Sequence, residues 1–192
     1  LNGIRISDKV MVIRSEYPEY DFTVYHNRVN AHRKPTVDII GKRCRIHPSV
    51  IIGEGTHVAI GPSGFRVQIK HMGNVIFGDD INIGALTIIQ RGIFNSTIIG
   101  DNVIIDACCG VAHNCILGDR VVTAMGTHFG GSTTVGKNCW FGTNSTTRAG
   151  INICDNVIVG SGSAVVKDIM EPGIYGGVPA KFIKPYVEGW KF

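Results

Sequence analysis

IGDNVIIDACCGVAHNCILGDRVVTAMGTHFGGSTTVGKNCWFGTNSTTRAGINICDNVIVGSGSAV, residues 99–165, decides the fold. Steps of six through it give Ile99, Ile105, Val111, Leu117, Thr123, Phe129, Val135, Phe141, Thr147, Ile153, Val159 and Val165 without a slip, and ten of these twelve are large and apolar. Two positions before most of them stands a small residue, among them Thr97, Cys109, Cys115, Thr127, Thr133, Cys139, Ser145 and Ser163. A period of six matches neither a helix face nor a lone strand; it is the mark of a solenoid.

A longer period lies on top. IGDN at Ile99, LGDR at Leu117, VGKN at Val135 and ICDN at Ile153 are spaced by eighteen residues. Three hexads therefore close one coil. Each hexad supplies a short strand and a tight corner, and the coils stack as parallel strands about 4.8 Å apart, forming a triangular prism. Residues eighteen apart are expected on the same corner of adjacent coils.

The whole chain sets the bounds. Its 192 residues suffice for one domain with a real core, and a net charge of +4 is mild. The densest basic stretches, Ala31-His-Arg-Lys34 and Gly41-Lys-Arg-Cys-Arg45, are too short for a nucleic-acid tract. Of the six cysteines, Cys44, Cys109, Cys115 and Cys139 take the small inward position, whereas Cys108 and Cys154 fall at or beside corners. With no CxxC, no signal-peptide core and no long apolar run, the expectation is a cytoplasmic protein without disulfides, metal or membrane span.

Residues 1–37 ignore the hexad. Ile4, Ile6, Val10, Val12 and Ile13 suggest brief strands, Glu16-Tyr-Pro-Glu-Tyr20 a turn, and the segment is expected to cap the prism. The repeat domain spans 38–168, starting at Ile40 and passing Ile46, Ile52 and Val58. A loop is expected at 61–74, where Gly61-Pro-Ser-Gly-Phe-Arg66 loses phase, and the register resumes at Phe77. A second slip, of four residues, falls at Ile93-Phe-Asn-Ser96. Residues 169–192 form a C-terminal extension whose Trp190 and Phe192 are expected to cover the last coil or a neighbouring subunit.

His113, third in the hexad Val111-Ala-His-Asn-Cys-Ile116, is a corner residue presented away from the core. Eighteen residues later stands Gly131, whose bare amide is expected about one strand spacing from the imidazole. Acyl transfer needs a base near neutral pKa and a donor for the oxyanion, and this corner can supply both.

The run Ile89-Gln-Arg-Gly-Ile-Phe-Asn-Ser-Thr-Ile-Ile-Gly-Asp-Asn-Val-Ile-Ile-Asp106, followed by Val111-Ala-His-Asn-Cys-Ile-Leu-Gly-Asp119, resembles the core of the UDP-3-O-acylglucosamine N-acyltransferases, within the hexapeptide-repeat acyltransferases. Gly61-Pro-Ser-Gly-Phe65 resembles that family's Gly-Phe loop. The resemblance implies a left-handed parallel β-helix, all-β, with a protruding loop and a short C-terminal extension. It also implies a homotrimer with sites between subunits, His113 as general base and the Gly131 amide as oxyanion donor. Asp106, Asn114, Gln90 and Arg91 become the implied substrate contacts, although Gln90 stands where the family usually has Asp. The resemblance does not extend to the family's uridine-binding domain or helical C-terminal extension, and neither is expected within these residues. Instead Gly162-Ser-Ala-Val-Val-Lys-Asp168 and Gly177-Val-Pro-Ala-Lys-Phe-Ile-Lys184 resemble the ends of acetyl-CoA-dependent sugar and sugar-nucleotide acetyltransferases. That second resemblance implies a short acyl-CoA donor, with Lys181 and Lys184 on its phosphates and Gly142 and Gly160 along its pantetheine.

The expected function is therefore N-acylation of a nucleotide-linked amino sugar for bacterial surface polysaccharide. O-acylation of a sugar hydroxyl is the alternative. A zinc enzyme on the same prism needs three convergent histidines, and His113 and His128, fifteen apart, do not share a corner. An ice-binding or purely structural solenoid is disfavoured, because Thr133, Thr134, Thr143, Thr146 and Thr147 form no single outward ladder.

Overall fold

The computed structural model describes residues 2–7, 10–32, 38–53, 55 and 57–186, with side chains from Ser15 onward. Trp190 and Phe192, expected to act as a cover, lie outside the described residues. Two compact units emerge, one of Leu1–Lys34 with Thr56–Lys70, the other of Pro35–Gly55 with His71–Phe192.

The larger unit is a β-solenoid of about six turns, with three parallel sheets visited in rotation. From Thr97 onward the register is the one the repeat predicts: Ile98 pairs with Ile116, Ile104 with Val122 and Gly110 with His128. Upstream the coils are longer. Ile76 pairs with Ile98 and Ile88 with Gly110, twenty-two residues apart, which places the four-residue slip at 93–96 inside one coil. Ile51 pairs with Ile88, thirty-seven apart, because the inserted hairpin lies between them.

The sixfold positions form three inward columns. Phe77, Ile99, Leu117, Val135 and Ile153 make one, each 3% exposed or less. Burying a side chain such as Leu117 or Phe141 contributes about 1.5–3 kcal/mol, and stacking repeats that contribution coil after coil. The small inward positions make columns of their own, such as Thr97, Cys115 and Thr133. Their hydroxyls are satisfied locally, since Thr133 Oγ1 donates to Gly130 O at 2.7 Å and Thr127 Oγ1 to Ala124 O at 2.9 Å. All six cysteines are free thiols, and burial pushes Cys115 up to about 11 and Cys139 to about 12.

The eighteen-residue motif has a bonding explanation. Asp101 accepts the Asp79 N–H at 2.8 Å, Asp119 the Asp101 N–H at 3.1 Å, and Asp155 the Lys137 N–H at 2.7 Å. Each coil's carboxylate thus satisfies a corner amide of the coil before it. The following residue must turn left-handed, with φ of 54° at Asn102, 56° at Asn138 and 60° at Asn156, and Asn enters that region most readily after Gly.

Beyond Val165 the stacking persists farther than the hexad does. Gly173–Gly176 pairs parallel with Val157–Val159, and Lys181–Lys184 returns antiparallel against it. The extension therefore begins as part of the solenoid's own sheet.

In the smaller unit Asn2–Ser7 and Val10–Arg14 pair antiparallel, as the alternation suggests. The segment Glu16–Tyr20 is not simply a turn: a helix starts at Pro18 and runs to Val29. Proline at its first turn, Glu19 and Asp21 near its N-terminus and Arg28 near its C-terminus suit the helix dipole. Its inner face is polar. His26 Nε2–H donates to Lys70 O at 2.9 Å, Asn27 Nδ2 to Gln68 O at 2.7 Å, and Lys70 N–H returns to Asn27 Oδ1 at 2.9 Å. The inserted segment is a hairpin of Val58–Ile60 with Arg66–Gln68, so the departure from the prism comes three residues earlier than expected. Val58 is in hexad phase by sequence, yet it is 41% exposed and faces Gln68, not a coil.

Candidate active site

Strand Gly110–Val111 delivers the corner Ala112-His113-Asn114. Asn114 makes the left-handed turn with φ 59°, which brings its amide back against the preceding coil. Two backbone groups orient that amide: Ile93 N–H donates to Oδ1 at 3.1 Å, and Nδ2 donates to Asn95 O at 3.2 Å. Both partners belong to the four-residue slip. Oδ1 can only accept, so the contact of 3.2 Å from His113 Nδ1 puts the proton on Nδ1 and the lone pair on Nε2.

The backbone under the histidine is held just as firmly. His113 N–H donates to Gln90 Oε1 at 3.2 Å, Asn114 N–H to Thr97 Oγ1 at 2.8 Å, and Thr97 Oγ1 to Gln90 O at 2.7 Å. On the other side, His113 O accepts the Ser132 N–H at 2.8 Å. The imidazole leans over Gly131, where a Cβ would stand 2.7 Å from both Nε2 and Cε1. Only glycine admits the ring in this position. His113 is half-buried, less open than a free corner residue.

The corner also gathers a residue the repeat could not flag. His71 is fully buried, donates Nδ1–H to Arg91 O at 3.0 Å and meets the His113 ring edge-to-face, with centroids 5.6 Å apart and planes at 84°. It stands in the unphased segment after the hairpin, and its only sequence signal is a histidine followed shortly by Gly73.

The other expected site residues separate. Gln90 is engaged by the His113 backbone, and Arg91 pairs with Asp38 at 3.1 Å with both side chains mostly buried. Their observed work is to brace the corner. Asp106 is exposed at the corner closing strand Ile104–Ile105, one side of the triangle before His113. It lines an open groove of about 430 Å³ together with Arg45, His47, Asn82 and Ile104. A Cβ at Gly142 would stand 2.5 Å from Ser161 N, so coil stacking alone accounts for that glycine, whereas Gly160 has no such close neighbour. Lys181 and Lys184 lie on an exposed strand. His128 donates Nδ1–H to Gly126 O at 2.7 Å and lies over Gly110, on a sheet face and away from the His113 corner. Among the described residues no three His, Cys, Asp or Glu side chains converge as a metal site, and no helix is long and apolar enough to cross a membrane.

Comparison with known proteins agrees with the fold. Residues 96–131 match the family described as bacterial transferase hexapeptide (six repeats), and residues 132–167 match the hexapeptide repeat of succinyl-transferase. Over 138 residues, 72% of this chain, the sequence is 37% identical to a UDP-3-O-acylglucosamine N-acyltransferase of Herminiimonas arsenicoxydans. The match covers 39% of that protein, so this chain spans well under half of the relative's length. A UDP-N-acetylglucosamine O-acyltransferase from Moraxella catarrhalis superposes with a TM-score of 0.70 at 26% identity, over 79% of this chain and 58% of that one. An Arabidopsis UDP-N-acetylglucosamine acyltransferase shares the fold, with a TM-score of 0.59 at 21% identity over 82% and 75% of the two chains. The two matches together make residues 96–167 a continuous run of hexapeptide repeats.

Proposed function

We propose that this hexapeptide-repeat protein is an acyltransferase that moves an acyl group from a coenzyme A thioester to the amino group of a nucleotide-linked sugar. The observation that carries the reading is the His113 imidazole, its Nδ1–H committed to Asn114 and its Nε2 lone pair set over Gly131. A neutral sugar amine attacks the thioester carbonyl, and His113 Nε2 takes the proton from nitrogen as the tetrahedral centre forms. The Gly131 N–H steadies the oxyanion. Collapse breaks the C–S bond, and the imidazolium returns its proton to the departing thiolate. A base of this kind contributes about 10²–10⁴-fold to rate, and an oxyanion donor about 10²–10³-fold.

The relative at 37% identity, named as an N-acyltransferase of a UDP-linked sugar, supports the amine as nucleophile. Lys181 and Lys184, on an exposed strand, suit the phosphates of coenzyme A. Asp106, with Arg45 and His47 in its groove, suits the acceptor sugar. The family resemblance supports assembly as a homotrimer, and the same reading makes the enzyme cytoplasmic. O-acylation is a second reading, favoured by the 26% identity to an O-acyltransferase.

A thiol-release assay with acetyl-CoA against a panel of UDP- and dTDP-linked amino sugars tests the proposal. Wild type should turn over one amino sugar, and His113→Ala should lose at least about 10²-fold in kcat while keeping its fold. Equal activity in the variant removes His113 as base. Turnover of a hydroxyl sugar alone replaces N- with O-acylation.

A further inference from the structure

We infer that the groove beside Arg45 and His47 is a binding site for a diphosphate linked to a sugar, with the Arg45 guanidinium and the His47 Nε2–H as its donors. The choice of ligand class rests on the reading of a nucleotide-linked acceptor and a coenzyme A donor given above. The site itself rests on the groove. Strand Arg45–Ile46 pairs Arg45 with Asn82 and Ile46 with Ile83. Arg45 and His47 are both exposed, two apart on extended chain, so their Cα atoms stand about 6–7 Å from one another. Donors so spaced are spanned by two linked phosphoryl groups and not by a single carboxylate.

The Arg45 charge is left unneutralised. An adjoining groove of about 820 Å³ shares Arg45 and Asn82, and its carboxylate, Asp80, has both oxygens committed to Arg43 at 2.5 and 2.6 Å. Among the described residues the Arg45 side chain makes no hydrogen bond or ion pair. Its planar fork suits two phosphate oxygens. His47 is oriented from behind. Leu86 N–H donates to Ser49 Oγ at 2.9 Å, Ser49 Oγ–H to His47 Nδ1 at 2.8 Å, and Ser49 N–H to the same nitrogen at 3.2 Å. A backbone N–H can only donate, so Nδ1 holds the lone pair and Nε2 the proton. The donor that His47 brings to the groove of about 430 Å³ is therefore Nε2–H.

The far side of that groove selects for a sugar. By register His47, Gly84 and Asp106 follow one another on successive coils, which sets His47 and Asp106 about 10 Å apart with no side chain between them. Asp106 Oδ1 accepts the Ala107 N–H at 2.7 Å, and its other oxygen is open to a hydroxyl. This carboxylate repels a bare anion, whereas an anion that carries a hydroxylated ring satisfies both ends of the groove.

Calorimetric titration of the whole protein with inorganic pyrophosphate, UDP-N-acetylglucosamine and coenzyme A tests the site without turnover. Arg45→Ala should weaken pyrophosphate binding by at least about tenfold, and His47→Phe, which keeps a ring without the donor, by about tenfold. Arg148→Ala removes an exposed charge elsewhere on the solenoid and should leave the affinities unchanged. Whichever of the two larger ligands loses affinity in Arg45→Ala identifies the source of the diphosphate, acceptor or donor. Absence of binding by wild type, unchanged affinities in Arg45→Ala and His47→Phe, or an equal loss in Arg148→Ala overturns the inference. If no acyl transfer occurs while pyrophosphate binding still responds to Arg45 and His47, the proposed function falls and the site stands.

Discussion

Two stretches of the solenoid follow one rule with different strictness. From Thr97 to Thr147 every strand meets its counterpart eighteen residues on, whereas upstream the spacing is twenty-two or thirty-seven. In the strict stretch equivalent positions bond from coil to coil: Asn138 bonds Asn156, Arg120 bonds Asn138, and Asp carboxylates cap the amides of the coil before. In the loose stretch unlike groups meet. Gln90, Ile93, Asn95 and His71 surround one corner, and none of them is a copy of another. His113 sits on the boundary, with the slip behind it and a regular coil ahead. A strict repeat supplies stability and a reference spacing, but a mixed set of side chains around one corner requires that the repeat be interrupted.

The sharpest way to break this comparison is a pair of glycines. Gly131→Ala puts a Cβ 2.7 Å from the His113 ring, a side chain that can swing aside, so kcat should fall by about 10²-fold with little change in Tm. Gly118→Ala puts a Cβ 2.8 Å from the Gly136 carbonyl carbon, which cannot move without its coil. Stability should fall by about 1–3 kcal/mol while kcat per folded molecule holds. Thermal melts and steady-state rates on both proteins decide the matter, and matching losses in the two would erase the distinction.

A gentler contrast uses two corner asparagines. Asn114→Gly keeps the left-handed turn and removes the amide that sets the His113 tautomer, so kcat should drop by about tenfold. Asn138→Gly removes a side-chain bond of 3.1 Å to Asn156 and should leave kcat unchanged. A weaker effect belongs to the regular core alone. Burial raises Cys139 from an ordinary 9.0 to about 12, so the folded state keeps a proton that the unfolded chain gives up. Stability should be level below pH 9 and decline as pH rises from 9 towards 12, and Cys139→Val should flatten that decline in denaturant titrations.

The strict stretch was legible because its signal is arithmetic: every sixth residue from Ile99 to Val165 is an inward position, and the structure pairs them at the predicted spacing. The four-residue slip was equally legible, since Ile88 and Gly110 show it in their register. Val58 misled because an apolar residue in phase is indistinguishable by sequence from one in a hairpin. The helix Pro18–Val29 went unseen for a physical reason: it buries Thr23 and His26 and exposes Phe22, Tyr25 and Val29, the reverse of an amphipathic pattern. At the site, His113, Gly131 and Asn114 follow from phase and resemblance. His71 carries no phase, and the bracing of Gln90 and Arg91 depends on contacts across coils that spacing does not encode.

The aspartate capping of each corner by the coil that follows has an evolutionary corollary. Such a bond reaches only the adjacent coil, as Asp155 reaches Lys137 and Asp119 reaches Asp101. Beyond Ser132, an in-frame duplication or loss of eighteen residues would present the same partners at the same heights and leave the histidine's surroundings untouched. Length on that side can drift almost neutrally between descendants. Change of a single residue between Gln90 and Thr97 has no such freedom, because it would shift the groups that hold His113.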